Sequence, residues 1–229
     1  ERLAEEERIR RQWAADVAHD LRTPVAALRS QLEAMTDGVL AVTPERLGRA
    51  SAELSRVESL VADLAELSRI ESPGMVPSLA DVEARPFLDD LCHRFSLEAE
   101  RRRTALACSC DEGFAFRGDR DLLLRAVSNV VDNALRHAGE GGRVEVRLSA
   151  AAGSGPGGWE LRVENTGSIP DDEVPRVFDR LYRGDGARRG RGSGLGLTIA
   201  KAVVELHGGS IGIGNSGRGT VLVTMRCPA

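Results

Sequence analysis

Apolar residues in the first part of the chain recur at helical spacing. Val17, Leu21, Val25, Leu28, Leu32 and Met35 fall on one stripe of a helix that turns about 100° per residue. Asp37-Gly38 can end that helix. Thr43-Pro44 then offers an N-cap and a first-turn proline for a second one. In the second helix Leu47, Ala50, Leu54, Val57, Val61 and Leu64 alternate at spacings of three and four, the seam of a coiled coil. Two helices cannot bury two such stripes by themselves. A dimer forming a four-helix bundle would do so; a monomeric hairpin packed on a second domain is the other solution.

The helical pattern breaks at Ser72-Pro73-Gly74-Met75-Val76-Pro77. This predicts an all-helical domain over residues 1–71, a linker over 72–84 and a second domain over 85–229. The second domain reads as mixed α and β. Helices are expected over Pro86–Arg103, over Asp119–Ala138 with Asp119 as cap, and over Leu195–His207. Short strands are expected over Thr104–Cys110 and Phe114–Arg117. Arg143–Leu148 and Trp159–Glu164 alternate like paired strands around the flexible stretch Ala151–Gly158, and Ser210–Met225 reads as a glycine-rich hairpin. Helices gathered on one face of a mixed sheet make an α+β sandwich.

Composition narrows the function. The 229 residues carry a mild net charge of −4, few aromatics and no long single-sign run, which argues against a nucleic-acid binder or a disordered tail. No apolar run reaches membrane-span length. The chain opens in mid-pattern, Glu1-Arg2-Leu3-Ala4-Glu5-Glu6-Glu7-Arg8, so an excised piece of a longer helix is expected. Cys92, Cys108, Cys110 and Cys227 lack zinc-site spacing. Cys108 and Cys110 would share one face of a strand, and all four thiols are expected to be reduced.

The chemistry concentrates first at His19, in Asp16-Val17-Ala18-His19-Asp20-Leu21-Arg22-Thr23-Pro24. His19 lies nearly opposite the apolar stripe and so faces solvent. Asp20 can hold one ring nitrogen and leave the other free as a nucleophile. Thr23 is one turn on, on the same face, and Pro24 removes a backbone bond and bends a helix. Farther along, Asn129, Asn133, Arg136 and His137 share one side of a helix at i, i+4, i+7 and i+8. Amide oxygens suit Mg²⁺ and Arg suits phosphate; a solvated helix face is the alternative. Gly192-Ser193-Gly194-Leu195-Gly196-Leu197 leads straight into a helix, where backbone N–H groups can approach an anion.

Together these segments resemble the boxes of sensor histidine kinases of two-component systems, in family order and over almost the whole chain. His19-Asp20-Leu21-Arg22-Thr23-Pro24 resembles the phosphoacceptor box. The resemblance implies that His19 takes a phosphoryl group from ATP and passes it to an aspartate of a response regulator, with Asp20 as orienting residue and proton acceptor. It implies that Thr23 serves dephosphorylation of the regulator. Asn129 to His137 resembles the N-box, which implies Asn133 as Mg²⁺ ligand, Asn129 as a second one, Arg136 on phosphate and His137 beside the nucleotide.

Val163-Glu164-Asn165-Thr166-Gly167-Ser168-Ile169-Pro170 resembles the first glycine box, with Asn165, Gly167 and Ile169 at the base. Asn165 stands where the family has an Asp that accepts from the adenine amino group, and Ser168-Ile169 lacks the family's second glycine. A neutral Asn is expected to bind ATP more weakly, to discriminate less against guanine, and to gain affinity on replacement by Asp. Val177-Phe178-Asp179-Arg180-Leu181-Tyr182-Arg183 resembles the box before the ATP lid, with Arg183, Arg188, Arg189 and Arg191 making a cationic loop. Gly192 to Leu197 resembles the second glycine box. Gly217-Arg218-Gly219-Thr220 resembles the last box, whose Thr220 lies near the adenine.

The resemblance implies a dimeric four-helix bundle followed by an ATP-binding sandwich of the histidine kinase, gyrase and Hsp90 type. It implies ATP and Mg²⁺, a homodimer, a response-regulator receiver domain as partner, and a cytoplasmic location below a membrane sensor. Two rivals stand beside it. An ATP hydrolase of the wider fold family would need a Glu where Asn129 stands. A non-catalytic scaffold with a decayed nucleotide site would account for Asn165 and the missing glycine.

Overall fold

The computed structural model describes residues 21–151, 158–182, 184, 193–217 and 219–228. A first helix, α1, covers residues 21–36 of this range and runs on through Pro24. The second, α2, spans Pro44–Ile70. Thr43 caps it, its hydroxyl oxygen accepting the Arg46 N–H at 3.3 Å. Val25, Leu32, Leu47, Leu54 and Val61 all remain 45–52% exposed, although they occupy the predicted apolar stripes.

The boundary between the chain's two compact units falls inside α2, between Ala65 and Glu66, upstream of the expected linker. The last turn of α2 has its own partners in the second unit. Leu67 and Ile70 are buried. Glu66 pairs with Arg125 at 2.7 Å, and both oxygens of Glu71 accept from Arg180 at 2.6 and 2.7 Å. The stretch expected as linker also contains a strand, β1 (Ala80–Glu83).

The second unit continues with α3 (Ala84–Arg101), β2 (Ala105–Cys110), β3 (Ala115–Gly118), α4 (Arg120–His137), β4 (Arg143–Ala150) and β5 (Trp159–Thr166). A single 3₁₀ turn at Val174–Arg176 follows, then α5 (Gly196–Leu206), β6 (Ser210–Ser216) and β7 (Thr220–Cys227). β1 pairs with β3 in a small antiparallel sheet. The other five strands form one sheet in the order β2-β4-β5-β7-β6, parallel between β2 and β4 and antiparallel elsewhere.

Burial alternates along the central strands, so one face of the sheet is covered and the other is wet. On the covered face Val144, Val146, Leu148, Trp159, Leu161, Val163, Val221, Val223 and Met225 lie under α4 and α5, while α3 covers β2. The sandwich expected from the sequence is the fold observed. Asp119 caps α4 as predicted, accepting the Leu122 N–H at 3.2 Å.

One expectation fails outright. Cys92 of α3 and Cys108 of β2 form a disulfide across a Cα–Cα distance of 6.6 Å. α3 packs directly on β2, which places two thiols 16 residues apart in sequence side by side. Spacing rules for zinc are blind to such a pair. Cys110 and Cys227 stay free, and burial pushes the Cys227 thiol up to about 12.

Candidate functional site

In the second unit most of the described candidate residues lie on α4 or on segments that approach it. α4 supplies the first side. Its apolar face, including Leu123, Ala126, Val127, Val130, Val131, Ala134 and Leu135, is buried against the sheet and α5. That leaves Asn129, Asn133 and Arg136 half-buried along its rim. Arg136 is held by Asp132 one turn back in an ion pair.

The first turn of α5 faces Asn129. A Cβ placed on Gly196 would come to 3.6 Å from Asn129 Cβ and Cγ, an ordinary van der Waals contact that fixes how near the two elements lie. Leu195, the residue at the N-cap of α5, makes no side-chain cap bond, in contrast to Asp119 of α4. Its first N–H groups therefore suit an anion. Leu195 is completely buried, and Leu197 is half-buried.

The residues fit a magnesium–phosphate unit. The Asn129 amide nitrogen is buried with no hydrogen-bond partner among the described residues, an orphan that a bound oxygen would satisfy. Asn133 offers a hard amide oxygen one turn on. Among the described residues no group of three His, Cys, Asp or Glu could hold a metal alone. Mg²⁺ usually takes one or two protein ligands and completes its shell with water and phosphate, which matches this sparse set.

The base of the predicted lid is closed by contacts that sequence reading missed. Leu181, at φ 61°, donates its N–H to the Gly194 carbonyl at 3.1 Å. Gly194 has φ 74°, and a Cβ there would lie 2.9 Å from the Leu181 carbonyl carbon. The Thr198 hydroxyl donates to the Phe178 carbonyl at 3.1 Å. Thr198 thus ties the first turn of α5 to the aromatic box. Nothing in its sequence context marks it out. Arg176 stacks over the Tyr182 ring at 4.6 Å.

Asn165 is 4% exposed on the covered face of β5. Its Nδ2 donates to the Thr166 carbonyl at 2.9 Å, so its oxygen is the atom left to accept. Gly167 follows at φ 133°, and a Cβ on it would sit 3.4 Å from the His137 carbonyl. Glycine lets the loop pass the end of α4 at that point. His137 remains exposed overall. Partial desolvation, then the Arg136 guanidinium, lowers its pKa, while Glu173 and Asp132 pull the other way.

Thr220 is not brought to this cluster. Asn165 pairs in register with Val221, so Thr220 projects from the opposite face of the sheet. Its hydroxyl donates to Glu164 and is shared with Ser216. Thr23 lies exposed on α1. His19, Asp20, Arg183 and Gly192 fall outside the described residues, as do Arg188, Arg189 and Arg191.

Comparison with known proteins places these features. Residues 9–73 match the His Kinase A (phospho-acceptor) domain family. Residues 118–229 match the family of histidine kinase-, DNA gyrase B- and HSP90-like ATPases. The signal transduction histidine-protein kinase BaeS of Escherichia coli is 34% identical, covering 99% of this chain and 48% of its own length. The histidine-protein kinase/phosphatase MprB of Mycolicibacterium smegmatis is 35% identical over 92% of this chain and 43% of its own. Among solved structures, histidine kinase ThkA in complex with response regulator protein TrrA aligns with a TM-score of 0.76. That match is 22% identical and covers 98% of this chain and 65% of that one, a likeness of fold. The chain spans about half the length of the curated relatives it matches.

Proposed function

The chain belongs to the histidine kinases, joining a phospho-acceptor domain to an ATPase-type domain, and on that premise we propose that it phosphorylates His19 from ATP and passes the group to an aspartate of a response regulator. A ring nitrogen of His19 attacks the γ-phosphorus. The bond to the β–γ bridging oxygen breaks, ADP leaves, and Asp20 takes the ring proton. A receiver aspartate oxygen then accepts the phosphoryl group while the proton held by Asp20 goes back to the ring, which returns His19 to its neutral form.

The observation that carries this reading is the rim of α4, where Asn129 stands against Gly196 at the start of α5 and Asn133 and Arg136 follow along the same helix. In phosphoryl transfer, positioning and charge neutralisation supply most of the catalysis. Asn133, with Asn129 beside it, would hold Mg²⁺, which when bound neutralises charge on the phosphates. Arg136 orients the phosphates, and the Gly194-Leu195-Gly196 backbone closes over them. Asn165 accepts from the adenine amino group. Its Nδ2 is committed to Thr166, so turning the amide toward guanine would break an existing bond. The loose discrimination expected from an Asn is thereby narrowed.

Incubation with γ-labelled ATP and Mg²⁺ should give an acid-labile, alkali-stable phosphoprotein. His19→Gln should abolish the label; undiminished labelling would refute the assignment. We assign Thr23 to the dephosphorylation of the regulator, a reading supported by the kinase/phosphatase relative. Thr23→Ala should keep the label on His19 and slow regulator dephosphorylation, whereas equal loss of both would make Thr23 structural.

The partner stripes favour a homodimer. Val25, Leu32, Leu47, Leu54 and Val61 are half exposed at heptad spacing, as they would be in one half of a four-helix bundle. Leu54→Asp should weaken the dimer by tenfold or more in sedimentation, which is about 1.4 kcal/mol. A monomeric wild type would contradict it. The core is proposed to act below a membrane sensor inside the cell, a reading supported by relatives about twice its length. Among the described residues no helix is long and apolar enough to cross a membrane.

A further inference from the structure

Asn215 sits on β6, the edge strand of the sheet, outside every box that the sequence singled out. Its backbone pairs with Val221 of β7, and Val221 pairs with Asn165 of β5. Residues in register across a sheet project from the same face. Asn165, Val221 and Asn215 therefore form one row, with the two amides at its ends and Val221 between them. The loop that leaves β5 after Asn165 crosses this row toward the β6 edge and meets Asn215 at Ile169.

The meeting is reciprocal. The Ile169 N–H donates to Asn215 Oδ1 at 2.9 Å, and Asn215 Nδ2 donates to the Ile169 carbonyl at 2.7 Å. A side-chain amide has the same donor and acceptor as a peptide group, so the pair mimics one rung of a β-ladder. Asn215 Nδ2 also reaches Asp171 Oδ1 at 3.5 Å. The near end of the loop is held too, by the Gly167 N–H on the Gly219 carbonyl at 3.2 Å. The segment Gly167–Ile169 is thus a strap across the row, fixed at one end to Gly219, just before β7, and at the other to β6. It lacks the second glycine of the family pattern, and Ile169 is not in the left-handed region.

We propose that Asn215 is a positioning residue for nucleotide binding: it fixes the strap so that Asn165, Val221 and Gly167–Ile169 form the adenine-recognition end of the site. The proposal rests on the placement of the base at Asn165. It predicts an effect confined to the base. The phosphates are held by α4 and the first turn of α5, which Asn215 does not touch.

The test measures ATP binding, and the inhibition of that binding by Mg²⁺-tripolyphosphate, in the full chain with Asn215→Ala and Asn215→Asp. Asn215→Ala removes both strap bonds. Asn215→Asp keeps the size and the acceptor, but sets a carboxylate against the Ile169 carbonyl and Asp171. Both should weaken ATP by about three- to tenfold, Asp at least as much as Ala, with tripolyphosphate affinity unchanged. Hydrogen exchange of the Ile169 amide should quicken in Asn215→Ala, which removes its acceptor. Unchanged ATP affinity in either variant, or an equal loss for tripolyphosphate, would overturn the role of Asn215. A wild type that binds tripolyphosphate but not ATP would instead overturn the adenine placement on which it rests.

Discussion

The two ends of the candidate nucleotide site are built by different means. The phosphate end is largely one helix. Asn129, Asn133 and Arg136 are neighbours because α4 repeats every 3.6 residues, and Asp132 restrains Arg136 from one turn away. The base end is assembled from three strands and a loop. Its two amides, Asn165 and Asn215, meet the same strap from opposite ends of a row, and the bonds to Ile169 span 46 residues of sequence. A helical site tolerates change elsewhere in the fold; a site stitched by long-range bonds depends on sheet register. Damage at the phosphate end should therefore be local and severe, and damage at the base end graded.

Gly194→Val should do the most harm. The residue lies at φ 74°, and a Cβ there would press on the Leu181 backbone. Left-handed strain and overpacking together should cost about 3 kcal/mol of stability and loosen the base of the lid. Thermal unfolding with and without Mg-ATP checks it. Loss of nucleotide-induced stabilisation is expected; an unchanged midpoint would mean that the Leu181–Gly194 contact carries no strain.

Asn165→Asp comes next, at the base end. From sequence alone this change is expected to tighten ATP binding. The structure reverses the expectation. Asn165 is 4% exposed and its Nδ2 serves the Thr166 carbonyl, so a carboxylate there gains a charge-assisted bond to adenine but loses that partner and repels it. Stability of the folded unit should fall by about 2 kcal/mol, and ATP affinity should not rise. Calorimetry showing tighter ATP binding would restore the original reading.

The smallest effect concerns pH. The folded-state pKa of His137 is lowered, chiefly by partial desolvation and then by Arg136. The unfolded chain therefore binds the proton more readily than the folded one. The contribution of His137 is whole above the ordinary value of 6.5 and is lost as pH falls through 6.5 toward the lower folded value. His137→Asn should flatten that part of the stability profile; an unaltered slope would show that the ring titrates as in water.

What could be read from the sequence follows the same division. The Asn129 and Asn133 face, the Asp119 cap and the alternation of β4 and β5 are local patterns, and the residues themselves declare them. The disulfide between Cys92 and Cys108 is not, because only the packing of α3 on β2 brings the two thiols together. Thr220 was drawn to the adenine by its motif, yet sheet register sends it to the other face. β1 is four residues long with two acids among them, too short and polar to announce itself. Asn215 and Thr198 gain their roles only from partners far along the chain.

The most direct test of the account addresses Asn133, on which the phosphate end turns. Titration calorimetry with Mg-ATP should be run on the wild type and on Asn133→Ala, with circular dichroism as a control for folding. The account predicts an intact fold, at least a tenfold loss of affinity and no label on His19. Wild-type affinity and full labelling in Asn133→Ala would contradict it and remove the nucleotide from the face of α4.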